Sequence, residues 1–197
     1  MPGRVLVIAC GAIARELVRV QQLNGWKHIE FQCLPPELHN RPEKIPAAVM
    51  ETIESRKDDY ERVFVGYADC GTGGLLDRAL EGTGVERIPG AHCYEFFAGS
   101  DVFHELAEGE PGSFYLTDFL VRHFDRLVWK GLGLDRQPEL SPLYFSNYKR
   151  VVYIAQAESR KLQDMASEQA ARLGLAYEYR FRGDLPLSTL LQPMLKE

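Results

Sequence analysis

At 197 residues the chain is long enough for one domain to bury most of its apolar surface. A content of 45% hydrophobic and 26% charged residues excludes a disordered or fibrous protein. The formal net charge of −5, without a stripe of Lys and Arg, argues against a nucleic-acid partner. No apolar run reaches the about 18 residues of a membrane span, and the N-terminal one is too short for a secretory core. The expected location is the cytoplasm.

The predicted elements alternate between strand and helix. Val5–Ala9 is five apolar residues in a row, the pattern of a strand covered on both faces. A helical stripe follows over Ala12–Leu23, then an alternating strand over His28–Cys33 and a helix over Pro42–Arg56. Val63–Tyr67 reads as a third strand, ending in a glycine-rich turn before a helix that runs to Leu80. Val85–Ile88 is a short fourth strand. Tyr94–Leu106 reads as a helix interrupted near Gly99, Ser113–Leu116 as an extended piece, and Thr117–Lys130 as a helix. Gly131–Tyr148 is rich in Gly and Pro and reads as a long loop. Strand Val151–Ala155, helix Ser159–Leu173, strand Ala176–Arg182 and a C-terminal helix complete the chain. The fold class expected from this alternation is α/β: a single domain over residues 1–197, with a mostly parallel, Rossmann-like sheet and helices on both faces.

Four cysteines in a reducing compartment point to metal binding or reactive chemistry before disulfides. Ligands of open parallel sheets bind beyond the carboxyl ends of the strands, and three cysteines fall there. Cys10 follows the first strand, Cys70 lies in the turn after the third, and Cys93 lies in the turn after the fourth. Cys33, two residues before Pro35, is expected to pack instead. His39, in the loop after the second strand, approaches the same edge as a fourth ligand or an acid/base. The expected metal ligands are therefore Cys10, Cys70, Cys93 and His39, for zinc or an open [4Fe–4S] cluster.

Gly71, Thr72 and Gly73, with His92 and Tyr94 flanking Cys93, are expected to line the ligand site, since glycine lets backbone N–H groups approach a ligand closely. The turn carries no Walker or dinucleotide fingerprint. Candidate acid/base groups are His39, Asp69 and Glu95, although no nucleophile–base–acid arrangement is recognisable. Asp69 also suits the stabilisation of its own turn. Tyr67, Tyr94, Phe96 and Phe97 could form an aromatic cage for a small cation, or belong to the core.

The motifs Leu38-His39-Asn40-Arg41-Pro42, Gly66-Tyr67-Ala68-Asp69-Cys70-Gly71, Ala91-His92-Cys93 with Gly99-Ser100, and Tyr115-Leu116-Thr117 resemble those of the DUF1638 family, over about residues 4–180. Where many members place an aspartate before the third cysteine, this chain has His92. The resemblance implies an association with corrinoid-dependent methyltransferase systems. Two functions are expected on that basis. One is a metal-binding enzyme or accessory factor of corrinoid and methylamine metabolism. The alternative is a non-catalytic module that binds a corrinoid, a methyltransferase partner or a small methylated ligand.

Overall fold

The computed structural model describes residues 3–195. The chain groups into two compact units, the first comprising residues 1–93 and 187–197 and the second residues 94–186.

The first unit is built on a four-stranded parallel sheet. Its strands are β1 (Val5–Cys10), β2 (Ile29–Leu34), β3 (Arg62–Gly66) and β4 (Glu86–Arg87), in the order β2-β1-β3-β4. β1 is central and all six of its residues are buried, as the unbroken apolar run requires. The helices are α1 (Ala14–Asn24), α2 (Ile45–Arg56) and α3 (Leu75–Leu80). α1 ends on Gly25 at φ 67°, a left-handed cap that glycine takes without a Cβ clash. α2 starts only at Ile45, because Pro42–Lys44 winds as a separate 3-10 turn.

The second unit begins with α4 (Tyr94–Ala98) and α5 (Ser100–Gly109). Its three-stranded parallel sheet has the order β5 (Ser113–Thr117), β6 (Arg150–Ala155), β7 (Ala176–Phe181), joined by α6 (Asp118–Phe124), α7 (Ser141–Tyr144) and α8 (Arg160–Leu173). α8 is capped at one end by the Ser159 hydroxyl, which accepts from Leu162 N–H at 3.4 Å, and at the other by Gly174 at φ 73°. The final helix, α9 (Leu185–Leu195), belongs to the first unit from Leu187 on. There Asn24 of α1 donates to Ser188 Oγ at 3.3 Å and accepts from Gln192 at 3.1 Å.

The parallel α/β class is as expected, with the strands divided between two sheets. Two local elements differ from the expectation. The helix expected over Thr117–Lys130 breaks at His123 (φ −116°, ψ 17°) and continues as a π-helical turn over Asp125–Trp129. The expected loop Gly131–Tyr148 contains α7 and a 3-10 turn at Pro138–Leu140, each with proline in its first turn. Leu134 and Phe145 from this segment are buried in the core of the second unit, in one cluster with Val151 and Tyr153. Among the described residues no helix is long and apolar enough to cross a membrane.

Candidate metal centre

The carboxyl ends of β1, β2 and β3 meet side by side, since Ala9 pairs with both Cys33 and Gly66, and Cys10 with Leu34. Gly11 lets the chain leaving β1 pass close to the next loop. A Cβ there would stand 3.0 Å from the Leu34 carbonyl oxygen and 3.2 Å from Pro36 Cδ. The Pro36–Asn40 turn that follows carries His39 back over the end of β1, so that Nδ1 of His39 lies 3.5 Å from Cys10 Sγ. Cys10 Sγ also accepts from Ala12 N–H at 3.3 Å.

Two further loops are zipped together. Asp69 N–H donates to the Gly90 carbonyl at 3.0 Å and Cys70 N–H to the Ala91 carbonyl at 2.9 Å, which extends the β3–β4 pairing past the strands. This brings Cys70 beside Cys93. One ligating atom each from His39, Cys70 and Cys93 then lie within 4.8 Å of one another. Cys70 and Cys93 are buried, and His39 is half-buried. Cys10, which touches the imidazole, falls outside that mutually close group.

Cys70 has φ 48°, and it is the one non-glycine residue at positive φ among the described residues. Such a conformation costs about 1–3 kcal/mol and persists where the surrounding structure imposes it. Gly71, Gly73 and Gly74 follow at φ 84°, 61° and 79°, so a run of left-handed residues turns the backbone around the Asp69 carboxylate. That carboxylate accepts from Thr72 Oγ1 at 2.7 Å, Gly74 N–H at 2.8 Å and Gly73 N–H at 3.1 Å. Asp69 is thus engaged in building the turn that presents Cys70. Thr72 is buried as part of it.

The electrostatics couple the members of the group. The Cys93 thiol beside it, and then the His39 imidazole, outweigh burial and hold Cys70 at about 4, a thiolate at neutral pH. Cys93 is pushed the opposite way, first by Cys70 and then by burial, and remains the thiol of the pair. For His39 burial opposes the charged form, but the sulfurs of Cys10 and Cys70 outweigh it and lift the imidazole to about 10. Arg87, which pairs with Asp77 through bonds of 2.5 and 2.8 Å, adds positive charge near Asp69 and Cys70.

His92 is exposed. Tyr94 and Glu95 open α4 in the second unit, where the Tyr94 ring lies 5.4 Å from that of Tyr115 and Glu95 accepts from Ser100 Oγ at 2.7 Å. Phe96 and Phe97 are buried in that unit. Cys33, on β2, is half-buried, and burial and then Cys10 push its thiol up, but it is outside the close group. Arg87 escaped the sequence reading, because nothing in a two-residue strand marks which way its side chain runs. Tyr67 was legible only as an aromatic next to the Asp69-Cys70 motif; its place against His39, with ring centroids 6.0 Å apart and 20° between planes, is a tertiary fact.

A family model described as "Protein of unknown function (DUF1638)" matches residues 33–190. The chain belongs to this family. The match covers His39, Cys70 and Cys93 of the DUF1638 domain, and Cys10 precedes it. Neither a curated protein nor a solved structure matches the chain.

The backbone N–H of Gly74, the Thr72 hydroxyl and then the N–H of Gly73 outweigh burial and hold the Asp69 carboxyl below the usual carboxylate range. A depressed carboxyl contributes stability that is present above its unfolded pKa and is lost as pH falls through the folded one. Asp69→Ala is therefore expected to destabilise the protein by about 1–3 kcal/mol at neutral pH. It should also make unfolding midpoints less sensitive to acid below about pH 4 than those of wild type. Parallel acid limbs for the two proteins would show that Asp69 does not hold the turn.

Proposed function

We propose that this DUF1638 chain is a mononuclear zinc protein in which His39, Cys70 and Cys93 are the ligands and a fourth position is open to a small molecule. The observation that carries the reading is the convergence of one nitrogen and two sulfur donors within 4.8 Å of one another. Tetrahedral zinc with bonds of about 2.0–2.3 Å needs its donors roughly 3.5–4 Å apart, the scale of this group. The residues fit the ion in a second respect. Nε2 of His39 is buried and makes no hydrogen bond of standard geometry, while the Cys70 sulfur acts on the ring; an ion held between the two would satisfy both. Nδ1, at 3.5 Å, faces Cys10, so Cys10 acts in this reading as the outer partner that fixes the imidazole tautomer and leaves Nε2 for the metal.

Three protein ligands and an open position characterise catalytic zinc, whereas structural sites are closed by four; this favours an enzyme or its accessory factor over a purely structural site. Bound zinc would supply Lewis acidity and lower the pKa of whatever occupies the open position. Cys70 and Cys93 would supply the charge that holds the ion, and Cys10 the orientation of His39. We place the activity beside corrinoid-dependent methyl transfer on the strength of the family resemblance. The second reading is a [4Fe–4S] cluster on Cys10, Cys70 and Cys93; what favours it is that Cys10 Sγ reaches the same strand edge, where it contacts His39.

Elemental analysis of anaerobically purified protein separates these readings. Roughly one zinc per chain supports the first. Iron with equivalent sulfide supports the second. Absence of both, with all four thiols free to alkylation, overturns the metal centre. Methylcobalamin with an added thiol as methyl acceptor, kept dark and anaerobic, then tests the placement: conversion to cob(I)alamin with formation of the methyl thioether, dependent on loaded protein, identifies an enzyme. Binding without spectral change identifies a binding module, and no binding removes the corrinoid link.

A further inference from the structure

Tyr67 is 1% exposed, and its buried hydroxyl makes no hydrogen bond of standard geometry among the described residues, the Cys10 sulfur being at most a weak acceptor for it. A phenol that is buried without a partner is costly, and native proteins rarely leave one so without a use. Its surroundings narrow the use. The ring stacks on His39, and the sulfurs of Cys10 and Cys70 lie near enough to push its pKa further up once burial has raised it. Tyr67 directly follows β3, and Ala68 after it is fully buried. A neutral phenol is a donor toward any anion placed beside it.

We infer that the open position of the metal held by His39, Cys70 and Cys93 takes a small anion, and that the Tyr67 hydroxyl donates the hydrogen bond that holds it. This rests on the metal reading above and adds the class of ligand and the residue that selects it. The phenol discriminates by charge and by acceptor capacity. A small anion with a lone pair toward Tyr67 satisfies both the metal and the donor, whereas a cation or an apolar molecule leaves the hydroxyl unpaired. Tyr67 acts on the ligand and not on the metal, so its removal is expected to leave metal uptake intact.

The test uses the full chain loaded with Co²⁺, whose visible spectrum reports the coordination sphere, and azide as the probe anion. Wild type is expected to bind cobalt and to shift its spectrum saturably with azide. Tyr67→Phe is expected to bind cobalt equally and to require about 10- to 100-fold more azide, the range for losing a hydrogen bond to a charged group. In the metal-free proteins Tyr67→Phe is expected to melt at about the same temperature as wild type or higher, since the lost hydroxyl has at most a weak contact with the Cys10 sulfur to abandon. Equal azide affinity in the two proteins overturns the inference. So does a marked loss of stability in metal-free Tyr67→Phe, which would reveal an internal partner. Cobalt uptake by wild type without any azide response overturns the inference and leaves the metal reading standing, whereas failure to take up cobalt removes both.

Discussion

Cys70→Ser is expected to empty the metal site, while Cys33→Ser is expected to leave it filled. The two cysteines lie at the same end of one sheet, yet only Cys70 shares a mutually close group with His39 and Cys93. A serine hydroxyl at position 70 stays protonated at neutral pH and supplies neither the charge nor the soft donor that zinc prefers. The loss in affinity should exceed the about 10- to 100-fold that outer partners of a metal site are worth. Stability follows by linkage. A metal present at a thousand times its Kd stabilises the folded state by about 4 kcal/mol, which corresponds to roughly 8–16 °C in Tm for a chain of this length. Chelation of wild type should therefore lower Tm by about that amount, and Cys70→Ser should begin at the lower value and not respond to chelator. The measurements are metal content after dialysis and melting curves with and without chelator. Equal metal loss in Cys70→Ser and Cys33→Ser would contradict the arrangement of ligands described here. Cys10→Ser is informative beside them. It should retain the ion more weakly if Cys10 orients His39, and abolish the centre if Cys10 belongs to a cluster.

The largest effect on stability from a single polar side chain is expected in the second unit, at Asp118. Its side chain is 3% exposed, and Oδ1 accepts from the Tyr153 hydroxyl at 2.7 Å and from Gln156 N–H at 3.0 Å. The Asp118 N–H in turn donates to Gln156 Oε1 at 2.9 Å. Arg122, at 3.7 Å from Oδ2, provides the opposite charge. The carboxylate thus ties the end of β5 to the end of β6, just where the parallel pairing stops. Asp118→Ala strands two buried donors at once, each costing about 1–3 kcal/mol, so a loss of about 2–6 kcal/mol is expected. Tyr153→Phe removes one donor and leaves the carboxylate its other partners, so about 1 kcal/mol is expected there. Denaturant unfolding of the three proteins checks the ranking. An Asp118→Ala variant no weaker than Tyr153→Phe would mean that water replaces the missing oxygen.

The local elements were readable because each rests on neighbours in sequence. Val5–Ala9 announces a covered strand by its unbroken apolar run, and the helical stripes of Ala12–Leu23 and Ser159–Leu173 follow from their own spacing. The same logic located three cysteines and a histidine at the ends of strands. It did not reach the pairing that divides the strands into two sheets, because each parallel pair joins segments dozens of residues apart and apolar runs do not name their partners. Nor did it reach the break at His123, or the packing of Leu134 and Phe145, whose burial answers to the core they enter.

The candidate metal centre shows the same division. Alone, the sequence determined that thiols and an imidazole would stand at the carboxyl edge of a parallel sheet, since strand periodicity and turn chemistry are local. Only the tertiary structure decided which of them meet. The Asp69–Gly90 and Cys70–Ala91 bonds draw Cys70 to Cys93, the close passage at Gly11 brings His39 over Cys10, and Cys33 is left to one side. Those choices depend on distances of a few ångströms between separate loops, which are fixed by the packing beneath them and by the hydrogen bonds that buried backbone groups must make.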